Sequence, residues 1–291
     1  MPTEPFAPAS LGPVRLRNRI IKAATFEGMS PAGLVSGSLI EFHRRIAAGG
    51  AGMTTVSYVA VSRDGRGAPN EIYIHDAAAG GLARIATAVH AEGAAISAQL
   101  GHAGPVGTIR KRYLGPSPGR TLAGTKVEQI TTAEIDEVVE QFAGGAAMLA
   151  QAGFNAVELH FGHHYLVSAF LSPRWNRRTD DYGGSPAHRA RLPVRILRAV
   201  RDATGGRIAI TAKLNMTDGI RGGLQIADSI EIARLLQAEG ILAGPVLAGH
   251  GVVYDGGEGC ASTVVLGEVS ARAERNSHRR EIVEINRIYN A

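Results

Sequence analysis

The chain has 291 residues, 45% hydrophobic and 20% charged, with 31 Lys and Arg against 26 Asp and Glu, a formal charge of +5. This composition excludes a disordered chain. Its single cysteine, Cys260, excludes an internal disulfide framework, a Cys-rich zinc site and a four-thiolate iron–sulfur cluster. No apolar run reaches 18 residues and no basic region followed by an apolar one opens the chain, so a soluble cytoplasmic protein with no membrane partner is expected. The basic residues, 27 Arg and 4 Lys, are dispersed with no aromatics stacked among them, which argues against a nucleic-acid surface.

In chain order, Asn18–Ala24 reads as an opening strand. A helix over 38–48 ends at Gly49-Gly50, and the apolar run Met53–Ala60 follows. A second helix begins after Asp76, carries Leu82, Ile85, Ala86 and Val89 on one face, and stops at Gly93 before Ala94–Leu100. Residues 105–130 read as a loop. A third helix opens on a capping box, Thr131 with Glu134, and shows Ile135, Val138, Val139, Phe142, Ala146 and Leu149 at helical period. It stops near Gly153, before Asn155–His160. A fourth has Ser185 as N-cap and Pro186 at its first position, and ends at Gly205-Gly206 before Arg207–Leu214. A fifth spans 225–239, with Gly240 and Ile241–Leu247 beyond it. Glycine after each helix predicts a left-handed C-cap.

Strands alternating with helices predict a parallel sheet covered on both faces. An open nucleotide-binding sheet usually carries GxGxxG after its first strand; here Thr25-Phe26-Glu27-Gly28-Met29-Ser30 stands there instead. Gln99, His160 and Lys213 each lie at the C-terminal end of a separate run, where the strands of a (β/α)8 barrel converge on one face. The expected fold is therefore α/β, of (β/α)8 TIM-barrel type.

The densest chemistry lies in 157–185. Two imidazoles and a phenol at a strand tip, His160, His163 and Tyr165, suit polarising a carbonyl and protonating an adjacent carbon. The spacing His160-x-x-His163-His164 could also offer two imidazoles to zinc. No HExxH or carboxylate cluster supplies a further ligand, so a metal-dependent barrel hydrolase is the lesser reading and no metal site is assigned. Histidines merely lining a polar loop are the plain structural alternative.

The run His160-Phe161-Gly162-His163-His164-Tyr165-Leu166, then Phe170-Leu171-Ser172-Pro173, Asn176-Arg177-Arg178-Thr179-Asp180 and Tyr182-Gly183-Gly184-Ser185, resembles the signature of the old yellow enzyme family, FMN-dependent NAD(P)H:flavin oxidoreductases and ene-reductases. Further matches stand in order at Gly12-Pro13, Asn18-Arg19-Ile20, Val61-Ser62, Gly65-Arg66, Gln99-Leu100, His102-Ala103-Gly104 and Lys213-Leu214-Asn215. The resemblance covers about residues 10–240 and implies an FMN-binding barrel core over 1–240, with 241–291 an atypical segment.

The resemblance further implies that Ala23, Ala24 and Thr25 edge the flavin ring, that Tyr58 contacts it, and that Gln99 pairs with its pyrimidine edge. Lys213 takes the place of a family arginine beside N1 and the C2 carbonyl, keeping the charge without the bidentate fork. His160 and His163 match the pair that grips a substrate carbonyl, and Tyr165 the proton donor to the α-carbon. The implied cycle reduces FMN with NAD(P)H and then passes hydride to an α,β-unsaturated carbonyl compound. Phe26 departs from the Thr, Ser or Cys of many relatives.

Two further βα units would need roughly 60 residues at about 30 per repeat, more than follow Ile241. The expectation is a barrel incomplete at its C-terminal strands, truncated or frame-shifted, with exposed sheet edges that favour poor stability or pairing of copies as a homo-oligomer. The loops that hold the FMN phosphate in the family are not recognisable; the glycines at 249, 251, 256, 257 and 259 could line a phosphate but read first as an irregular loop, and 281–289 as a short helix. An inactive barrel that no longer holds FMN is the second functional reading.

Overall fold

The computed structural model describes residues 5–108, 112–121, 124–241, 248–249 and 263–265. Five parallel strands form its centre: β1 (Ile21–Lys22), β2 (Met53–Ala60), β3 (Ala95–Gly101), β4 (Ala156–Phe161) and β5 (Ala209–Asn215), hydrogen-bonded in that order. Ala248–Gly249 pairs in parallel with β1, and Thr263–Val265 pairs antiparallel with β5. The connecting helices are α1 (Gly37–Ala48), α2 (Ala79–Ala91), α3 (Thr132–Gln151), α4 (Arg191–Thr204) and α5 (Ile226–Ala238). Among the described residues this is the curled parallel sheet of part of a (β/α)8 barrel.

The helix ends follow from local chemistry. Ser36 caps α1, its hydroxyl accepting from the Leu39 amide. Thr131 and Glu134 form both bonds of the predicted capping box. Gly205 ends α4 in the left-handed conformation at φ 58°. Three expectations need correction. The opening strand is two residues long rather than seven, because Arg19 and Ile20 serve in loop hydrogen bonds. The predicted fourth helix is two, Pro186–Arg189 and α4, meeting at Ala190. The stretch 105–130 is not all loop: Tyr113–Gly115, Gly119–Arg120 and Lys126–Gln129 make a small three-stranded sheet. Residues 242–247 of the predicted sixth strand, the glycines beyond 249 and the segment 281–289 lie outside the described residues.

All residues of β2 to β5 are buried, yet their two faces differ. Outward residues such as Val56, Ile96, Leu100, Leu159, Ile210 and Leu214 join the helices in one large apolar core that includes Phe142, Leu149, Ile196 and Leu236. Inward, the first strand residues Ile21, Met53, Ala95, Ala156 and Ala209 pack against Leu11, Val14 and Leu16 of an N-terminal hairpin, which closes the lower end. Above that floor the inward positions turn polar: Thr55, Ser57, Ser97, Gln99, Glu158, His160, Thr211 and Lys213. Among the described residues no helix is long and apolar enough to cross a membrane.

Candidate active site at the strand tips

The register of the sheet assembles the site. Glu158 lies beside Gln99, and His160 beside Lys213, because their strands pair in parallel at those residues. The Gln99 amide donates from Nε2 to Glu158 Oε1 at 2.6 Å, and the Ser57 hydroxyl donates to Gln99 Oε1 at 3.3 Å. An amide has two donors and two acceptor lone pairs. Gln99 therefore keeps one N–H and one lone pair for another partner. The Lys213 ammonium reaches toward the Ala24 carbonyl at 3.5 Å, which places the segment after β1 against the tip of β5.

The aromatic wall stands alongside. Rings of His160 and Tyr165 are 4.7 Å apart, His160 and His163 4.9 Å, and Tyr58 and Tyr165 5.5 Å. The Tyr58 hydroxyl donates to the Gly65 carbonyl at 2.9 Å, which fixes its ring. Gly101 allows this crowding: a Cβ there would sit 2.6 Å from the Tyr58 ring. His160 is buried, and its Nδ1 has no hydrogen-bond partner among the described residues. Burial, with the charges of His163 and Lys213, holds its pKa well below 6.5, so the ring stays neutral at neutral pH.

His163 and His164 both adopt left-handed backbone, at φ 59° and 57°. The Asn215 side-chain oxygen accepts from the His163 amide at 3.0 Å, and the Ser168 hydroxyl from the His164 amide at 3.2 Å. The turn sends the two imidazoles apart: His163 joins His160, whereas His164 Nδ1 faces buried Asp218 at 3.8 Å. Among the described residues no group of three or more His, Cys, Asp or Glu is gathered as metal ligands.

Gln99, Lys213, His160, His163, Tyr165 and Tyr58 thus share one face with Ala23 and Ala24, both buried. Thr25 turns back on its own segment, its hydroxyl bonded to the Ala23 carbonyl at 3.3 Å. Phe26 is 57% exposed. The sequence motifs do not single out Ser57 and Glu158, which orient Gln99, and mark Asn215 only as part of a matching motif, without its role in holding the histidine turn. Alternation along β4 carried the signal, since Glu158 is two residues before His160 and so on the same face.

A (β/α)8-type barrel sheet with a polar, aromatic-walled site at the C-terminal strand tips is the enzyme class that this fold and site define. The family model for the NADH:flavin oxidoreductase / NADH oxidase family matches residues 4–256, and the chain belongs to that family, the one whose signature 157–185 resembles. The family uses FMN, with NADH or NADPH as reductant. A 4,4'-dithiodibutanoate disulfide reductase of Rhodococcus erythropolis is 48% identical over 255 residues, 86% of this chain and 63% of that protein. Among solved structures, a 2-naphthoyl-CoA reductase complex matches with TM-score 0.78 at 29% identity, over 81% of this chain and 39% of its own. Morphinone reductase matches with TM-score 0.72 at 28% identity, over 81% and 69%. The chain therefore spans less than two thirds of the length of the Rhodococcus reductase.

Proposed function

We propose that the protein is a cytoplasmic FMN-dependent oxidoreductase that draws electrons from NADH or NADPH and reduces an α,β-unsaturated carbonyl compound. The observation that carries this reading is a set of polar groups on one face with bonding capacity left over among the described residues: half of the Gln99 amide, the buried Lys213 ammonium beyond its long contact to Ala24, and His160 Nδ1. These fit a flavin. Gln99 would meet a ring edge that offers both a donor and an acceptor, Lys213 would favour negative charge there, and Ala23 and Ala24 leave room for close approach. When bound, FMN would supply two-electron hydride chemistry.

The chain's own residues would do the rest. Neutral His160 and exposed His163 would donate hydrogen bonds to a substrate carbonyl oxygen, drawing electrons from the conjugated alkene. Tyr165, whose ring touches His160 and Tyr58, would protonate the α-carbon. Glu158 would keep Gln99 from flipping.

A disulfide acceptor is the second reading, favoured by the 48% identity to a 4,4'-dithiodibutanoate disulfide reductase. Splitting that bond needs two electrons and two protons, the same delivery with sulfur in place of carbon.

The test begins with the absorption spectrum of purified protein, anaerobic bleaching by NADH or NADPH, and recovery with an enone or with 4,4'-dithiodibutanoate. Faster recovery with the disulfide would replace the enone reading. A colourless protein that FMN cannot reconstitute would leave an inactive barrel.

A further inference from the structure

Behind the segment 23–27, between β1, β2 and α1, lies a charged cluster that this mechanism does not use. Glu27 is 4% exposed in its side chain, and its Oε1 takes the Lys22 ammonium at 2.5 Å. Its Oε2 accepts from the Ser57 amide at 2.8 Å. His43, wholly buried on α1, brings Nε2 to 3.4 Å from Glu27 Oε1, and its Nδ1 shares a 2.7 Å hydrogen bond with the Thr54 hydroxyl. The Lys22 ammonium also donates to the Thr55 carbonyl at 3.0 Å. One carboxylate thus ties β1, the segment after it, β2 and α1 together. Burying two charges and an imidazole is costly, and replacing a buried ion pair by apolar side chains of similar volume often costs little stability. What they could not do is hold the Ser57 amide. Ser57 is the residue whose hydroxyl orients Gln99, while the Glu27 amide donates back to the Ser57 carbonyl at 3.3 Å.

We propose that Glu27, clamped between the Lys22 ammonium and the Ser57 amide, is a positioning residue that fixes the segment 23–27 and the Gln99 side chain as one rigid edge of the cofactor site. The inference rests on the FMN reading for its consequence, and on the hydrogen bonds alone for its mechanism. In Glu27→Gln, one carboxamide oxygen cannot serve both donors, so either Lys22 or Ser57 is left facing an NH2 group.

Two variants test this: Glu27→Gln, and Lys22→Met with Glu27→Met, which replaces the ion pair by apolar groups. Each is compared with the parent by thermal unfolding, FMN dissociation constant, flavin absorption spectrum and amide hydrogen exchange at Ser57 and 23–27. The double variant should remain folded yet bind FMN about tenfold more weakly or worse, because binding must then order the edge that Glu27 no longer holds. Its flavin spectrum should be altered, with faster exchange at Ser57 and none in β4. Parent-like affinity, spectrum and exchange in the double variant would mean that the cluster is packing alone and would overturn the proposal. A parent protein that holds no FMN would defeat the functional reading instead. Exchange at Ser57 in Glu27→Gln then decides the positioning role by itself: faster supports it, unchanged overturns it.

Discussion

The outer and inner faces of the curved sheet are equally buried and chemically opposite. Outward side chains are apolar apart from Thr54, which bonds His43 of α1, and they interlock with α2, α3 and α4; inward ones above the floor are Ser, Thr, Gln, Glu, His and Lys. The outer face answers to packing density and tolerates no voids. The inner face carries polar groups that cost stability unless paired, and its pairing is incomplete at Gln99 and His160. Burial alone therefore does not separate scaffold from site; the polarity of the buried face does.

That contrast can be broken by substitution. The largest effect should come from the outer wall. Phe142→Ala, in the packed face of α3, is expected to lose about 3–5 kcal/mol in denaturant unfolding. The surviving folded fraction should keep its acceptor preference. If preference changed as well, the two faces would not be independent.

Next comes the inner wall. Tyr165→Phe should slow the alkene half-reaction by about 10²-fold or more in stopped-flow kinetics, the range for a lost general acid, and spare reduction by the nicotinamide. Equal rates in both half-reactions would remove Tyr165 from the chemistry.

Acid should act on both faces at once. His160 inside and His43 under α1 are held below 6.5, chiefly by burial, so the unfolded chain binds protons that the folded chain refuses. Stability is then full above about pH 6.5 and falls as pH drops from there toward the depressed folded values. Thermal unfolding between about pH 7.5 and 5.5 should show a falling midpoint; a flat profile would mean that the rings accept protons in place.

The smallest effect belongs far from the site. Thr131→Ala removes the capping box of α3 and should cost about 1 kcal/mol with no kinetic change.

How much of this was readable in the sequence varied with the physics. The helices of the outer layer declared themselves by period, caps and terminal glycines, because those signals are local. Gln99, His160 and Lys213 were visible as polar residues ending apolar runs, and the structure does gather them. Glu158 and Ser57 were lost because a polar residue inside a strand looks incidental until a neighbouring strand supplies its partner. Lys22, Glu27 and His43 were lost for the same reason on a larger scale, since their contact spans three elements. The break at Ala190 and the small sheet within 105–130 depend on tertiary packing that no local pattern encodes.

The left-handed turn at His163 and His164 has a thermal consequence. Left-handed backbone costs a non-glycine residue roughly 1–2 kcal/mol, and here two neighbours share it, with bonds to Asn215 and Ser168 among the contacts that hold them. The sheet beneath has no such penalty. On warming, the loop should slip first, so catalysis should fade at a temperature where the barrel wall is still intact.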